Sequence, residues 1–161
     1  MARLLIVHHS PTPTVQSLTD AVVAGAHDDE IEGVDVLVRH ALEATADDVL
    51  AADGYLFGTT ANFGYMSGAL KHFFDTIFLE AGGALAEDGS AGSSGGGKKP
   101  FGVWVHGRYD TTGAVRSVLS IVGALPWRQA ADVLEVIGDV GEAERATAYE
   151  LGGTLAALLT D

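Results

Sequence analysis

Apolar positions along the chain fall into two alternating patterns. Leu4-Leu5-Ile6-Val7 is a continuous run with no polar interruption, as expected of a strand covered on both faces. Similar short runs recur at 34–38, at Tyr55-Leu56-Phe57 between Gly54 and Gly58, at 101–105 and at 133–137. Between them the apolar spacing becomes helical. Val15, Leu18, Val22 and Gly25 share one face, and Asp47 and Asp48 open a short helix through Val49 and Leu50. Leu70, Phe73, Phe74, Ile77 and Phe78 form the clearest stripe, with Lys71 and Asp75 paired on the other side. Val115, Val118, Leu119 and Val122 mark another helix, and Leu151, Leu155, Leu158 and Leu159 are expected to face the core from a last one.

Strands alternating with helices imply parallel pairing through right-handed crossovers. The expected fold is α/β, a doubly wound five-stranded parallel sheet with helices on both faces, in one domain over 1–161. The stretch 82–99 is rich in Gly and Ser and has no periodicity, so it is expected as a surface loop and not a domain linker. No solenoid repeat is visible.

Doubly wound sheets bind ligands beyond the carboxyl ends of their strands. Segments 10–16, 59–67 and 106–112 occupy that edge, and each has chemistry to offer. The first presents the hydroxyls of Ser10, Thr12 and Thr14 just before a helix. A helix N-terminus carries unpaired amides and a partial positive charge, so hydroxyls and amides together can cradle an anion without Lys or Arg. Pro11 and Pro13 lack amide hydrogens, which leaves Thr12, Thr14, Val15 and Gln16 as donors. From spacing alone, plain helix capping is the favoured explanation of the same residues. The second segment, Thr59-Thr60-Ala61-Asn62-Phe63-Gly64, combines small residues that let a flat ring approach the backbone with an amide side chain and an apolar ring. The third, His106-Gly107-Arg108-Tyr109, brings an imidazole, a guanidinium and a phenol to a strand end.

Composition removes several alternatives. Cysteine is absent, so redox work would need a cofactor. A formal net charge of −13 repels phosphate backbones, which argues against nucleic acid. No apolar run reaches the roughly 18 residues of a membrane span, and Leu4–Val7 is too short for a signal peptide, so a cytoplasmic protein is expected. His8 and His9, adjacent at a strand end, are expected on opposite faces and make a poor chelate, and no metal site is expected. The string from Gly92 to Lys98 imitates a phosphate-binding P-loop, but Lys99 stands where Ser or Thr is needed and a strand follows. No Gly-x-Gly-x-x-Gly follows the first strand.

Taken with the run Ala52-Asp53-Gly54-Tyr55-Leu56-Phe57-Gly58-Thr59 through Phe63-Gly64-Tyr65-Met66-Ser67-Gly68-Ala69-Leu70-Lys71-His72-Phe73-Phe74-Asp75, the three segments resemble the flavodoxin superfamily. Within it the chain is most similar to the branch of NAD(P)H-dependent FMN reductases and the quinone reductases once called tryptophan-repressor-binding proteins. The likeness extends over essentially the whole chain. It implies a bound flavin mononucleotide (FMN), with the phosphate held by Ser10, Thr12, Thr14, Val15 and Gln16. It further implies that Thr59 and the segment Thr60 to Gly64 run along the isoalloxazine ring, and that His106, Gly107, Arg108 and Tyr109 line its pyrimidine side. No side chain is then catalytic, because the flavin carries the chemistry, with NAD(P)H as donor and a quinone or similar small molecule as acceptor. Relatives of this type also suggest a homo-oligomer. The chain departs from the family pattern at Thr60, where Pro is usual, at Pro13 and Val15, where Gly and Thr are usual, and at His106, which replaces a small hydroxyl residue; 89–97 looks like an insertion. Three readings follow: an NAD(P)H-dependent reductase, a flavodoxin-type electron carrier, and a flavin-free binding protein on the same fold.

Overall fold

The computed structural model describes residues 1–81, 98–125 and 127–160. The expected loop at 82–99 therefore lies almost wholly outside the described residues. The elements in chain order are β1 (Ala2–His8), α1 (Pro13–Ala26), β2 (Val34–His40), α2 (Ala46–Ala51), β3 (Gly54–Asn62), β4 (Tyr65–Met66), α3 (Gly68–Ala81), β5 (Pro100–Gly107), α4 (Thr112–Ala124), β6 (Arg128–Gln129), β7 (Leu134–Ile137) and α5 (Glu142–Ala157). The five principal strands run parallel in the order β2-β1-β3-β5-β7, with β6 also beside β5 and β4 folded back antiparallel on β3. Strand order reverses between β1 and β3, which opens a crevice at their carboxyl ends.

Both faces of the sheet are covered, as the continuous apolar runs require. On one side Leu5, Val7, Tyr55, Phe57, Val103 and Val105 pack against α3 and α4 through Leu70, Phe73, Phe74, Ile77, Val118 and Val122. On the other, Leu4, Ile6, Leu56 and Trp104 meet Leu18 and Val22 of α1 and Ala148, Leu151 and Leu155 of α5. Two glycines bring α1 and α5 into direct backbone contact. A Cβ at Gly25 would collide with the Tyr149 carbonyl, and one at Gly152 with the Val22 carbonyl.

Several ends differ from expectation. Phe78 is half exposed, because it lies about 80° around the helix from Leu70, at the margin of the stripe. Leu158 is exposed and Leu159 only half-buried, because α5 ends at Ala157 and the chain leaves the core-facing spiral there. The same helix starts at Glu142, well before the first of its expected core leucines; its first turns are mostly polar, with Ala148 as their buried contact. Strand β3 continues to Asn62, and 59–67 is a hairpin instead of a loop.

Candidate functional site

The carboxyl ends of β1, β3, β5 and β7 surround one cleft of about 590 Å³, within the range of small-molecule and cofactor sites. Its wall on the β1 side is the start of α1. Thr12 is the N-cap, and its hydroxyl accepts from the Val15 amide at 3.3 Å. Pro13 takes the first helical position, where its missing N–H costs nothing. The Gln16 amide is already committed to the Thr12 carbonyl at 2.9 Å, and its side chain donates to Asp20 at 2.8 Å. Ser10 faces inward: its hydroxyl lies 2.9 Å from His8 Nδ1 and 2.7 Å from the Thr19 hydroxyl. The amides of Thr12 and Thr14 have no acceptor among the described residues, and no acidic side chain occupies the first turn of α1. The helix thus offers an uncompensated positive end to the cleft.

The wall on the β3 side is the hairpin. Ala61 pairs with Met66 and Asn62 with Tyr65, so Phe63 and Gly64 alone make the turn. Both have positive φ, 53° at Phe63 and 76° at Gly64, which is the conformation of a type I′ turn. A bulky residue at positive φ is strained, and the Phe63 ring is fully exposed with no packing to repay it. The hairpin rests on the start of α4, where a Cβ at Gly113 would collide with the Gly64 carbonyl. Thr59 points to the other side of β3: its buried hydroxyl donates to the Thr60 carbonyl and accepts from the Ser67 amide, both at 2.9 Å. Thr60 is 7% exposed, and its hydroxyl has no partner among the described residues.

The floor beyond β5 is fastened to the last strand. His106 Nε2 lies 2.7 Å from the Gly138 carbonyl, to which it must donate, since a carbonyl cannot. Asp110, just ahead of the N-cap Thr111, accepts from the Thr112 amide at 2.9 Å, and the Thr112 hydroxyl first, then this amide, hold its carboxyl below the usual carboxylate range. The side chains of Arg108 and Tyr109 are exposed, and Arg108 forms no ion pair among the described residues.

The cleft gathers Thr12, Thr14, Val15, Thr60, Ala61, Asn62, Phe63, Gly64, His106, Gly107, Arg108 and Tyr109 from the residues expected there. It leaves out Ser10, Gln16 and Thr59, whose polar groups are spent within the fold. Pro11 and Asp110, inside the expected segments though not named as contacts, also line it, as do Gly138 and Asp139, which lie outside those segments. Gly138 and Asp139 follow the last strand, and extending the strand-end rule to that strand finds both.

Three histidines gather near the β1 side. His8 and His9 were expected on opposite faces, yet both rings meet His40 edge-on, at centroid separations of 5.9 and 5.5 Å. The strand ends at His8, so strand alternation does not govern His9. Burial first, then the His40 charge, holds both His8 and His9 below the usual imidazole value; for His8 the His9 charge adds to this and Asp20 opposes it. Both are therefore neutral in the fold when the unfolded chain begins to take up protons near 6.5. The stability they confer is present above that value and declines as pH falls below it. Thermal melts from about pH 7.5 to about pH 5.5 should show a falling midpoint, flattened in the double variant His8→Gln/His9→Gln. An equal slope in the two proteins would remove the cluster as the cause. Among the described residues no three His, Asp or Glu side chains form a metal-holding group, and no helix is long and apolar enough to cross a membrane.

Comparison with known proteins bears on this arrangement. A solved flavodoxin from the domain Archaea superposes with a TM-score of 0.77 at 14% identity, covering 98% of both chains. The chain has the flavodoxin fold. By sequence it is 33% identical over 106 residues to a flavodoxin of Aquifex aeolicus, covering 62% of this chain and 55% of that protein. It is 30% identical over 95 residues to an NAD(P)H dehydrogenase (quinone) of Acidithiobacillus ferrooxidans, covering 47% and 46% respectively. The chain thus spans about half the length of the curated relatives it matches. No family model matches. The cleft sits at the strand-order reversal between β1 and β3, where open α/β sheets bind ligands.

Phe63 supplies a direct test of the hairpin. Asn-Gly is the preferred type I′ pair, so Phe63→Asn should relieve backbone strain and raise stability by about 1 kcal/mol. Denaturant unfolding reads that gain; a loss of stability would mean the exposed ring is packed in solution.

Proposed function

We propose that the chain binds FMN in this cleft and works as an oxidoreductase that takes electrons from NAD(P)H and delivers them to a quinone or similar small acceptor. The observation that carries the cofactor is the meeting, in one cleft, of helix-end amides and a buried hydroxyl that have no partner among the described residues. Thr12 and Thr14 would hold the phosphate through amides. The segment Thr60 to Gly64 and the loop His106 to Tyr109 would flank the ring. When bound, FMN supplies the hydride and electron transfer, and the protein supplies position and electrostatics. Arg108, exposed and without an ion pair among the described residues, would put positive charge beside the reduced ring. The enzymatic half of the reading draws on the likeness to the quinone dehydrogenase. The cytoplasm and a homo-oligomer belong to the same proposal.

An electron carrier is the second reading, and the match to a flavodoxin together with the −13 charge favours it, since an acidic surface suits docking to a basic partner. Reconstitution followed by stopped-flow mixing with NADH and with NADPH separates the two. Rapid flavin bleaching with either supports the reductase. Bleaching with neither, together with potentiometric reduction in two separate one-electron steps, selects the carrier. A chain that neither quenches FMN fluorescence nor turns yellow excludes both.

The phosphate grip has its own signature. Where cations bind an anion, salt weakens affinity. Here the grip is made of dipoles on an acidic protein, so raising salt from about 0.01 M to about 0.15 M shortens the Debye length from about 30 Å to about 8 Å and should strengthen FMN binding. Fluorescence titration at both ionic strengths checks the sign.

A further inference from the structure

The three histidines on the β1 side take no part in the proposed function. His8 and His40 are Cα partners in the parallel pairing of β1 and β2, so their side chains share one face of the sheet, and His9 follows directly. A charged imidazole carries a proton on both nitrogens, and in two of the rings Nδ1 is badly placed for one. His40 Nδ1 accepts from the Leu42 amide at 3.1 Å, a bond that a proton there would displace. His9 Nδ1 is buried without a partner among the described residues, so a proton there would find no acceptor. His8 differs. Its Nδ1 lies 2.9 Å from the Ser10 hydroxyl, which in turn lies 2.7 Å from the Thr19 hydroxyl. A hydroxyl donates as readily as it accepts, so this train runs in either direction: a neutral ring accepts from Ser10, and a protonated one donates to it. Protonation of His8 therefore adds a charge without loosening the segment that leads into α1. The groups that face its ring are His9, His40 of β2 and the Asp20 carboxylate of α1; Arg39, on the opposite face of β2, pairs with Asp48 instead.

We infer that His8 is a proton-operated supplement to the anion-binding end of α1: in mild acid its ring takes up a proton and tightens the hold on the nucleotide phosphate. No Lys or Arg stands between His8 and Asp20, so the protonated ring is the cation that this stretch otherwise lacks. Ser10 is two residues from Thr12, which puts the ring on the order of 10 Å from the amides proposed for the phosphate, about one Debye length at 0.1 M salt. Burial, then His40 and His9, delay protonation of His8, with Asp20 opposing them. A phosphate at α1 favours the charged ring, so ligand binding and proton uptake support each other. Two effects then run in opposite directions as pH falls. The stability of the free protein declines, as derived above, while its grip on phosphate strengthens. A histidine with a merely structural role moves only the first. The inference rests on the FMN reading and adds to it a regulation by pH.

Fluorescence titration with FMN at about pH 7.5 and about pH 5.5, on the native chain and on His8→Gln, gives the test. The phosphate sheds its second charge near a pKa of about 6 in both proteins, so the readout is the ratio of their Kd values. The two should bind alike at the higher pH. At the lower, the native chain should bind roughly fivefold more tightly, about what one charge contributes at this separation in a medium between protein and water. Asp20→Asn, which removes the carboxylate facing the ring, should push that gain to lower pH. Proton counting on the native chain alone needs no substitution. Near pH 6 a phosphate bound as its dianion releases about half a proton, and titration in two buffers of different ionisation enthalpy should show clearly less, because His8 takes one up. Release of the full half proton, or equal Kd ratios at both pH values, overturns the coupling while FMN binding stands. Failure of FMN to bind at either pH overturns the functional reading and the coupling with it.

Discussion

Thr12→Asp should keep the protein folded and remove most of its affinity for FMN. Aspartate is as good an N-cap as threonine, and its charge favours the positive end of α1, so stability should hold or rise slightly. The same carboxylate, however, would stand among the amides proposed for the phosphate. Two like charges about 4 Å apart at an effective dielectric near 20 repel by about 4 kcal/mol, so a loss on the order of a hundredfold in affinity remains after screening. Isothermal titration and a thermal melt on the same sample read the two effects separately. Retained affinity would move the phosphate away from α1. Thr12→Ser, which keeps the cap without the charge, should bind FMN as the native chain does.

Gly152→Ala should produce a large loss of stability from a single methyl group. At this crossing the α1 and α5 backbones touch, and the added Cβ would overlap the Val22 carbonyl, part of the main chain and unable to swing aside. Overpacking of this kind costs about 3 kcal/mol, and at about 3 °C per kcal/mol for a chain of this size the melting midpoint should drop by about 10 °C. Gly153→Ala is the control: its Cβ would lie no nearer than 3.4 Å to the Gly25 carbonyl oxygen, so the change should be small. A native-like midpoint for Gly152→Ala would mean that the helices stand farther apart than described.

Much of this architecture was readable from residue spacing. Continuous runs such as Leu4 to Val7 could only be strands covered on both sides, and Leu70, Phe73, Phe74 and Ile77 could only be one buried helix face. The β3–β4 hairpin was hidden because its turn places Phe63 at positive φ, where sequence reasoning looks for Asn, Asp or Gly. Ser10 was read as ligand-facing because hydroxyls ahead of a helix end can cradle an anion, and Thr59 through the resemblance; sequence gives no sign that His8, Thr19 and Ser67 take up those hydroxyls inside the fold. Gly138 and Asp139 were missed for a different reason. They lie far along the chain from the other segments, and only the pairing of β7 with β5 brings them to the same cleft.

The glycine crossing of α1 and α5 also sets an order of events during synthesis. The anion-binding tip leaves the ribosome well over a hundred residues before the helix that holds α1 in place. A nascent chain ending before residue 142 would carry every side chain proposed to touch the cofactor and still lack the brace behind them. Capture of the nucleotide would then wait for α5 to dock, and a chain nicked within α5 would lose its ligand through damage far along the sequence from the residues that hold it.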